Sequence, residues 1–508
     1  VIIDLHTHVP AESQWPLFLQ HCRASGVTLA VTSGLGSWAR YPDEADVRRA
    51  NDEARRFAGF ARGLVRWFAY LNPQNDNWSL ELHRAVAEGA CGVKLWVALK
   101  DPATGSLERV PPVLDAALRL RLPVLIHTYQ RTDANLEGEI TVAEFAALAR
   151  RFPELPMIAA HAGGNWRQCL GLLREVPNAC VDVCGGYPET GMVEALVADL
   201  GPERVLYGSD ALGRSFASQI AKVRLADLPE PDRQRILWGN SARLLGLEPG
   251  ALAELERVAA ATVPPLPDLG LPAFDEDHFL FAGAWPFRQG PWATPGDLDR
   301  ALAGAGIRRA FVADAGSVFA LDVLAANRAY RAAAGGLPRL VPLAAQVPYA
   351  PNWAPVLAEA AGRFAGGIVY PFLHHWRLDD AAYGPFFRAC AEVRLPLWVN
   401  VCTGDARFRH RGTVCRDVSA AELVAFVRGA PPNGYVVQGA GVPLVQAALE
   451  QCPDARHVRF EISRLTDTSA ALADLVRRHG WGRLVLGSEY PFRGLRSVRC
   501  TAQVLCGG

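Results

Sequence analysis

The sequence predicts two (β/α)8 barrels in tandem. Three observations carry that expectation. Short apolar runs alternate with amphipathic stretches along the whole chain, 508 residues exceed what one core needs, and several segments recur in order in the second half.

Runs such as Val124–Ile126, or Val205, Leu206 and Tyr207, read as buried parallel strands. Stretches such as residues 142–150 between them read as amphipathic helices. This rhythm over ~250 residues suits one (β/α)8 barrel. It then repeats. Gly26-Val-Thr-Leu-Ala-Val-Thr matches Gly306-Ile-Arg-Arg-Ala-Phe-Val, and Ala50-Asn51 matches Ala326-Asn327. Asn77-Trp78 matches Asn352-Trp353, and Gly92-Val93 matches Gly367-Ile368. Leu122-Pro-Val-Leu-Ile matches Leu395-Pro-Leu-Trp-Val, and Arg204-Val-Leu-Tyr-Gly-Ser-Asp matches Arg483-Leu-Val-Leu-Gly-Ser-Glu. The order is kept and the offset drifts by only a few residues, which implies a tandem duplication. The expected organisation is a first barrel over residues 1–247, a helix and Pro-rich linker over 248–272, and a second barrel over 273–508. After Glu489 only 19 residues remain, without the closing helix of the first copy, so the second barrel is either truncated or closed differently.

Half of the residues are apolar, a fifth are charged, and Lys plus Arg equals Asp plus Glu. No overall field favours nucleic acid or an anionic membrane, so a small-molecule substrate is the expected partner. The two barrels are expected to pack on each other within the chain. The eleven cysteines are scattered and form no CxxC pair; Cys180 and Cys184 are the closest, on a strand and its exit. Reduced, mostly buried thiols in a cytoplasmic protein are expected. No apolar run approaches the ~18 residues of a membrane span, and no secretory signal is expected.

The polar residues of the first copy stand at strand ends. Asp4, His6 and His8 alternate along the first strand and so are expected to share the face that points into the barrel. Two imidazoles so placed can bind one metal ion. Lys94, His127, His161 and Asp210 each close a further apolar strand, at the C-terminal mouth where such barrels keep their active sites. Structure alone explains one such residue easily and all of them together poorly.

The set Asp-Leu-His-Thr-His, Gly-Val-Lys-Leu, Ile-His, His-Ala-Gly-Gly and Gly-Ser-Asp, with the closing Gly-Asn-Ser-Ala-Arg-Leu-Leu, resembles the amidohydrolase superfamily. It is most similar to the amidohydrolase-related branch, which includes lactonases, decarboxylases such as aminocarboxymuconate-semialdehyde decarboxylase, and hydratases. The resemblance spans the first copy. It implies that His6, His8 and Asp210 bind a metal, with His127 as the fourth ligand of a one-metal site. It implies that His161 faces the coordinated water or the substrate. In two-metal members a carbamylated lysine bridges the ions, and Lys94 stands near that place; the alternative is an unmodified lysine contacting substrate or an inner carboxylate. The implied cofactor is one or two divalent ions, zinc foremost, with manganese or iron less suited to nitrogen and oxygen ligands with an open position. Asp210 then serves as ligand and proton carrier, and His161 as polarising or shuttling group. The implied reaction is hydrolysis of a lactone, amide or similar bond, with metal-dependent decarboxylation as the alternative. Trp38, Arg40, Trp96, Arg131, Trp166, Tyr187 and Arg214 follow strand ends. Of these, Arg131 and Trp96 are the candidate substrate contacts, Arg131 as a bidentate partner for a carboxylate.

The second copy lacks this set. Alignment of the repeats puts Phe281 and Gly283 for the two histidines, Val369 or Tyr370 for Lys94, Asn400 for His127 and Gln438 for His161. Only an acid survives, Glu489 for Asp210. The second barrel is thus expected to hold no metal and to keep its mouth hydrogen-bonded through Asn and Gln. His374, His375, Asp405, Arg407, Arg409 and His410 are expected to form a solvated rim there.

Overall fold

The structure, a computed structural model, describes residues 1–132, 134–211, 213–286, 288, 290 and 292–507. They divide into two compact units. The first holds residues 1–187 and 191–267, the second residues 188–190 and 268–507.

In the first unit the strands are β1 (Ile3–His8), β2 (Leu29–Ser33), β3 (Val65–Trp67), β4 (Ala69–Leu71), β5 (Val93–Leu95), β6 (Val124–Ile126), β7 (Met157–Ala159), β8 (Ala179–Asp182) and β9 (Val205–Leu206). All pair in parallel and in chain order, with helices between them. β3 and β4 occupy one strand position interrupted at Phe68, whose neighbours Trp67 and Ala69 both bond to β5 and its approach. The ring closes where Leu5 N donates to Tyr207 O at 3.1 Å and Asp210 N donates to His6 O at 2.8 Å. This is an eight-position (β/α) barrel. Outward strand residues and the helix faces form the large apolar core. A smaller cluster of Leu5, Val31, Phe68, Leu125, Ile158, Ala160, Cys180 and Leu206 draws on the strands and fills the interior.

One expectation about β1 fails here. The strand's register shifts between Asp4 and Thr7, so simple alternation is broken. Leu5 joins the interior cluster, while Asp4 is fully buried apart from the histidines and accepts from His6 N and Ser209 N. Burial pushes the Asp4 carboxyl up to about 8, which leaves its unpartnered Oδ2 as the place for a proton.

The second unit has eight parallel strands in chain order: β10 (Glu276–Ala282), β11 (Arg309–Asp314), β12 (Leu340–Ala345), β13 (Gly366–Val369), β14 (Leu397–Asn400), β15 (Tyr435–Gln438), β16 (Val458–Glu461) and β17 (Leu484–Val485). His278 N donates to Leu486 O at 2.9 Å and Glu489 N to Phe279 O at 2.6 Å, which closes this ring as well. A helix, Ser497–Cys506, follows the last strand. No helix among the described residues is long and apolar enough to cross a membrane.

The mouth of the second barrel is neutralised by side chains. Glu489 accepts from Arg464 at 3.1 Å and from Arg493 at 2.8 Å, and Arg493 pairs bidentately with Asp467 at 2.6 and 2.9 Å. Arg493 is only 1% exposed, so its removal would take the bidentate partner from Asp467 and leave Glu489 to Arg464 and Gly404 N. Arg493→Met is expected to cost about 3–5 kcal/mol of stability, the usual result of breaking a buried pair on one side. Urea denaturation of the full chain followed by a probe in the second unit checks this; an unchanged midpoint would refute the role.

Candidate metal centre

The predicted residues converge at the mouth of the first barrel. His6 and His8 face each other edge-on with ring centroids 5.3 Å apart, and His6 lies 5.2 Å from His161. His8 Nε2 is 3.2 Å from Asp210 Oδ1. One donor atom each from His6, His8 and Asp210 lies within 4.8 Å of the others. Two imidazoles and a carboxylate are three protein donors, the number a catalytic centre keeps when one position must stay open. His6 and Asp210 must be free of their protons, and the surroundings arrange that. Burial and the neighbouring Lys94 charge push His6 down to about 4, against the opposing pull of Asp182. His6 is thus a neutral imidazole. Its Nδ1 proton goes to Asp182 Oδ2 at 2.8 Å, so the Nε2 lone pair is the one that would bind an ion in place of its contact with Lys94 Nζ at 2.8 Å. Burial works to raise the Asp210 carboxyl, but the hydrogen bond from His8 and the facing His161 outweigh it and hold the group well below the usual carboxylate range. The residues therefore fit a divalent ion.

Lys94 is fully buried, with Nζ 2.8 Å from His6 Nε2. Burial lowers its ammonium to about 8. His127 stands outside the ligand group. Its Nε2 faces Glu139 Oε1 at 2.7 Å and its Nδ1 faces His161 Nε2 at 3.1 Å. Burial, the larger influence, keeps both His127 and His161 below the ordinary imidazole value. The chain Glu139, His127, His161 is a relay of neutral rings ending on a carboxylate. Arg131 lies at its edge, 3.5 Å from Glu139 and over the Tyr129 ring, which stacks on His127. Trp96 packs edge-on against Trp38, which in turn meets His8.

Three participants were not singled out from the sequence. Asp182 receives the His6 proton and also accepts from His161 N at 2.8 Å. Burial would raise its carboxyl, but the facing His6 overcomes that and holds it low. Cys184 places Sγ 3.1–3.2 Å from both His161 and His6. Both residues had a signal: Cys180, Asp182 and Cys184 alternate along β8 and its exit. Glu139 had none, because it lies in a loop.

His161 sits at φ 61°, in the left-handed region that costs a non-glycine residue about 1–3 kcal/mol. Gly185 makes room for it, since a Cβ there would lie 2.1 Å from His161 Nδ1, and Gly185 itself has φ +81°. Gly185→Ala is expected to displace His161, lower the melting temperature and cut turnover at least ~10-fold, a part of what loss of a proton-transfer group costs. Wild-type turnover in a folded Gly185→Ala variant would show that His161 is not needed where it stands.

Matching hydrogen bonds identify the counterparts in the second unit and correct the sequence alignment. Asp277 accepts from Phe279 N and Ser488 N as Asp4 does from His6 N and Ser209 N, so Phe279 and Phe281 replace the histidines, rather than Phe281 and Gly283. Val93 N and Gly367 N bond to equivalent prolines, which sets Ile368 at the place of Lys94. Gly439 N donates to Glu461 as His161 N does to Asp182, so Gly439, at φ +74°, replaces His161 and Gln438 falls one residue earlier. Three acids survive, not one: Asp277, Glu461 and Glu489. Asn400 does replace His127, and it bonds Gln438 at 3.0 Å. Arg464 stands at the place of Gly185. Where the first barrel pairs a histidine with a glycine, the second pairs a glycine with an arginine that reaches Glu489. Among the described residues the second unit offers no cluster of three metal-binding side chains.

Residues 3–247 match the family model described as amidohydrolase. The first unit belongs to the amidohydrolase family. Solved structures similar to part of this chain include 2,6-dihydroxybenzoate decarboxylase from Rhizobium, 18% identical over 48% of this chain and 98% of its own, with a TM-score of 0.39. A putative amidohydrolase from Staphylococcus aureus is 16% identical over 48% of this chain and 99% of its own, with a TM-score of 0.41. The 4-oxalomesaconate hydratase from Rhodopseudomonas palustris is 16% identical over 51% and 99%, with a TM-score of 0.38. No curated protein sequence matches the chain.

Proposed function

We propose that the amidohydrolase unit hydrolyses a small polar substrate at a carbonyl centre, a lactone, amide or similar, with one divalent ion, zinc foremost, held by His6, His8 and Asp210. The convergence of these three donors beside a neutral His161 carries the reading. When bound, such an ion supplies Lewis acidity and makes a water molecule acidic enough to lose its proton near neutral pH. Asp182 holds the Nδ1 side of His6, so that Nε2 would serve an ion. Asp210, held ionised, can accept a proton from the attacking water. His161, whose Nε2–H is held by His127 with Glu139 behind it, can polarise the substrate or shuttle a proton beside Asp210.

A second reading, non-oxidative decarboxylation, uses the same residues. It is favoured by Arg214, one turn beyond Asp210, with its N–H bonded to Asp210 O. The matching Arg493 reaches two carboxylates in the second unit, and Arg214 is placed to hold a substrate carboxylate in the same way. Zinc- and manganese-loaded protein should be screened against lactones and against aromatic and muconate-type acids. Incorporation of solvent oxygen into product supports hydrolysis, and release of carbon dioxide supports the lyase. Turnover of neither class would overturn both.

A further inference from the structure

The Nδ1 edge of His6 faces a second set of donors. Nδ1 lies 2.8 Å from Asp182 Oδ2 and 3.2 Å from Cys184 Sγ, and Cys184 Sγ lies 3.1 Å from His161 Nδ1. One donor atom from each of these four residues lies within 4.8 Å of the rest, and all four residues are buried. This set differs from the first in containing sulfur, and thiolate ligands select zinc-like ions over manganese or magnesium. At the place of Cys184 the second unit carries Ser463, whose hydroxyl donates to Glu461 at 3.0 Å. A serine therefore satisfies the local packing and hydrogen bonding, and the sulfur of Cys184 calls for another reason.

We propose that His6, His161, Asp182 and Cys184 form a second, thiophilic cation site, taking zinc or its analogues cadmium and cobalt(II), whose occupant competes for the His6 ring with the ion at His6, His8 and Asp210. The inference rests on the metal-centre reading above.

The proton positions, assigned from the hydrogen-bond network, explain the competition. His161 directs Nε2 to His127, whose other nitrogen faces Glu139, so the lone pair of His161 is on Nδ1 and faces Cys184. Asp182 is ionised. Burial and the Asp182 and Asp210 charges keep the Cys184 thiol protonated, and a bound cation would displace that proton to solvent. His6 carries its proton on Nδ1, the tautomer that serves the first ion. A cation on the Nδ1 side displaces that proton, to Nε2 or to solvent, and so withdraws His6 from the first site. Tetrahedral edges built from bonds of ~2.1 Å to nitrogen and ~2.3 Å to sulfur are about 3.4–3.6 Å. The three close pairs, at 2.8–3.2 Å, would open by roughly 0.4–0.6 Å to reach these edges. Four protein donors leave no open position, so this is a closed centre. Its occupant also takes His161 and Asp182 out of the catalytic arrangement, which makes the site inhibitory.

Titration of the metal-free full-length chain with cobalt(II) tests this. The expected result is a thiolate-to-cobalt charge-transfer band in the near ultraviolet that saturates at a single equivalent. Cys184→Ser should lose the band, keep the wild-type circular dichroism and still take up manganese. X-ray absorption of the cadmium-loaded wild type gives an independent check, with one sulfur expected among the ligands. Absence of sulfur ligation in the wild type, or a band that persists in Cys184→Ser, would overturn the second site. Manganese uptake that is lost in His6→Asn while no sulfur ligation occurs would leave the first site standing alone. No divalent ion bound at all would bring down the metal-centre reading with it.

Discussion

Full-length His6→Asn is expected to emerge with essentially no bound divalent ion and no turnover, while the wild type carries the ion in the first unit. His6 is the one ring that both donor groups share, and its carboxylate partner Asp182 is fully buried. Loss of an outer-shell partner alone typically costs ~10–100-fold in metal affinity, and loss of the ligand itself should cost at least that. Asparagine keeps a polar side chain in reach of Asp182, so the fold should survive. The same measurement examines the second unit in place. Phe279 and Phe281 stand where the histidines would be, and the guanidinium groups of Arg464 and Arg493 neutralise Glu489. Elemental analysis of the variant decides the matter: a full equivalent of tightly held zinc or manganese would mean that the ion sits elsewhere.

Much of this centre was legible because a parallel barrel exposes its chemistry at strand ends. A histidine, lysine or aspartate that closes an apolar run, as His127, His161, Lys94 and Asp210 do, stands out against the run itself. What was not legible depends on where a strand ceases to be regular. The register shift in β1 puts Leu5 inside and removes Asp4 from the histidine face, and nothing in the alternation of polar and apolar residues announces it. The alignment of the two halves slipped at two places. Motif by motif, Gly283 and Gln438 looked like the counterparts of His8 and His161, whereas the hydrogen bonds to Asp277 and Glu461 select Phe281 and Gly439. Left-handed residues recur at Asp210 and Glu489 and at His161 and Gly439, so the two barrels share this part of the backbone frame. Glu139 was out of reach for a different reason. Its partnership with His127 is made by a loop, and loop conformation has no period to read.

The left-handed backbone at His161 gives the second large prediction its force. In the second barrel the matching residue is a glycine, which adopts φ +74° without penalty. The first barrel keeps a histidine there at a cost, and makes room for it with Gly185. Strain retained at a position where glycine would relieve it points to a task for the side chain. His161→Asn is expected to reduce turnover at least ~10²-fold, as for a lost polarising or proton-transfer group. The variant should keep manganese at His6, His8 and Asp210, because His161 is absent from that group. Turnover and manganese content measured on one preparation separate the roles. Retained metal with lost turnover marks a group that acts on the substrate. Loss of both would make His161 a ligand of the catalytic ion and favour a two-ion centre in which a modified Lys94 takes part.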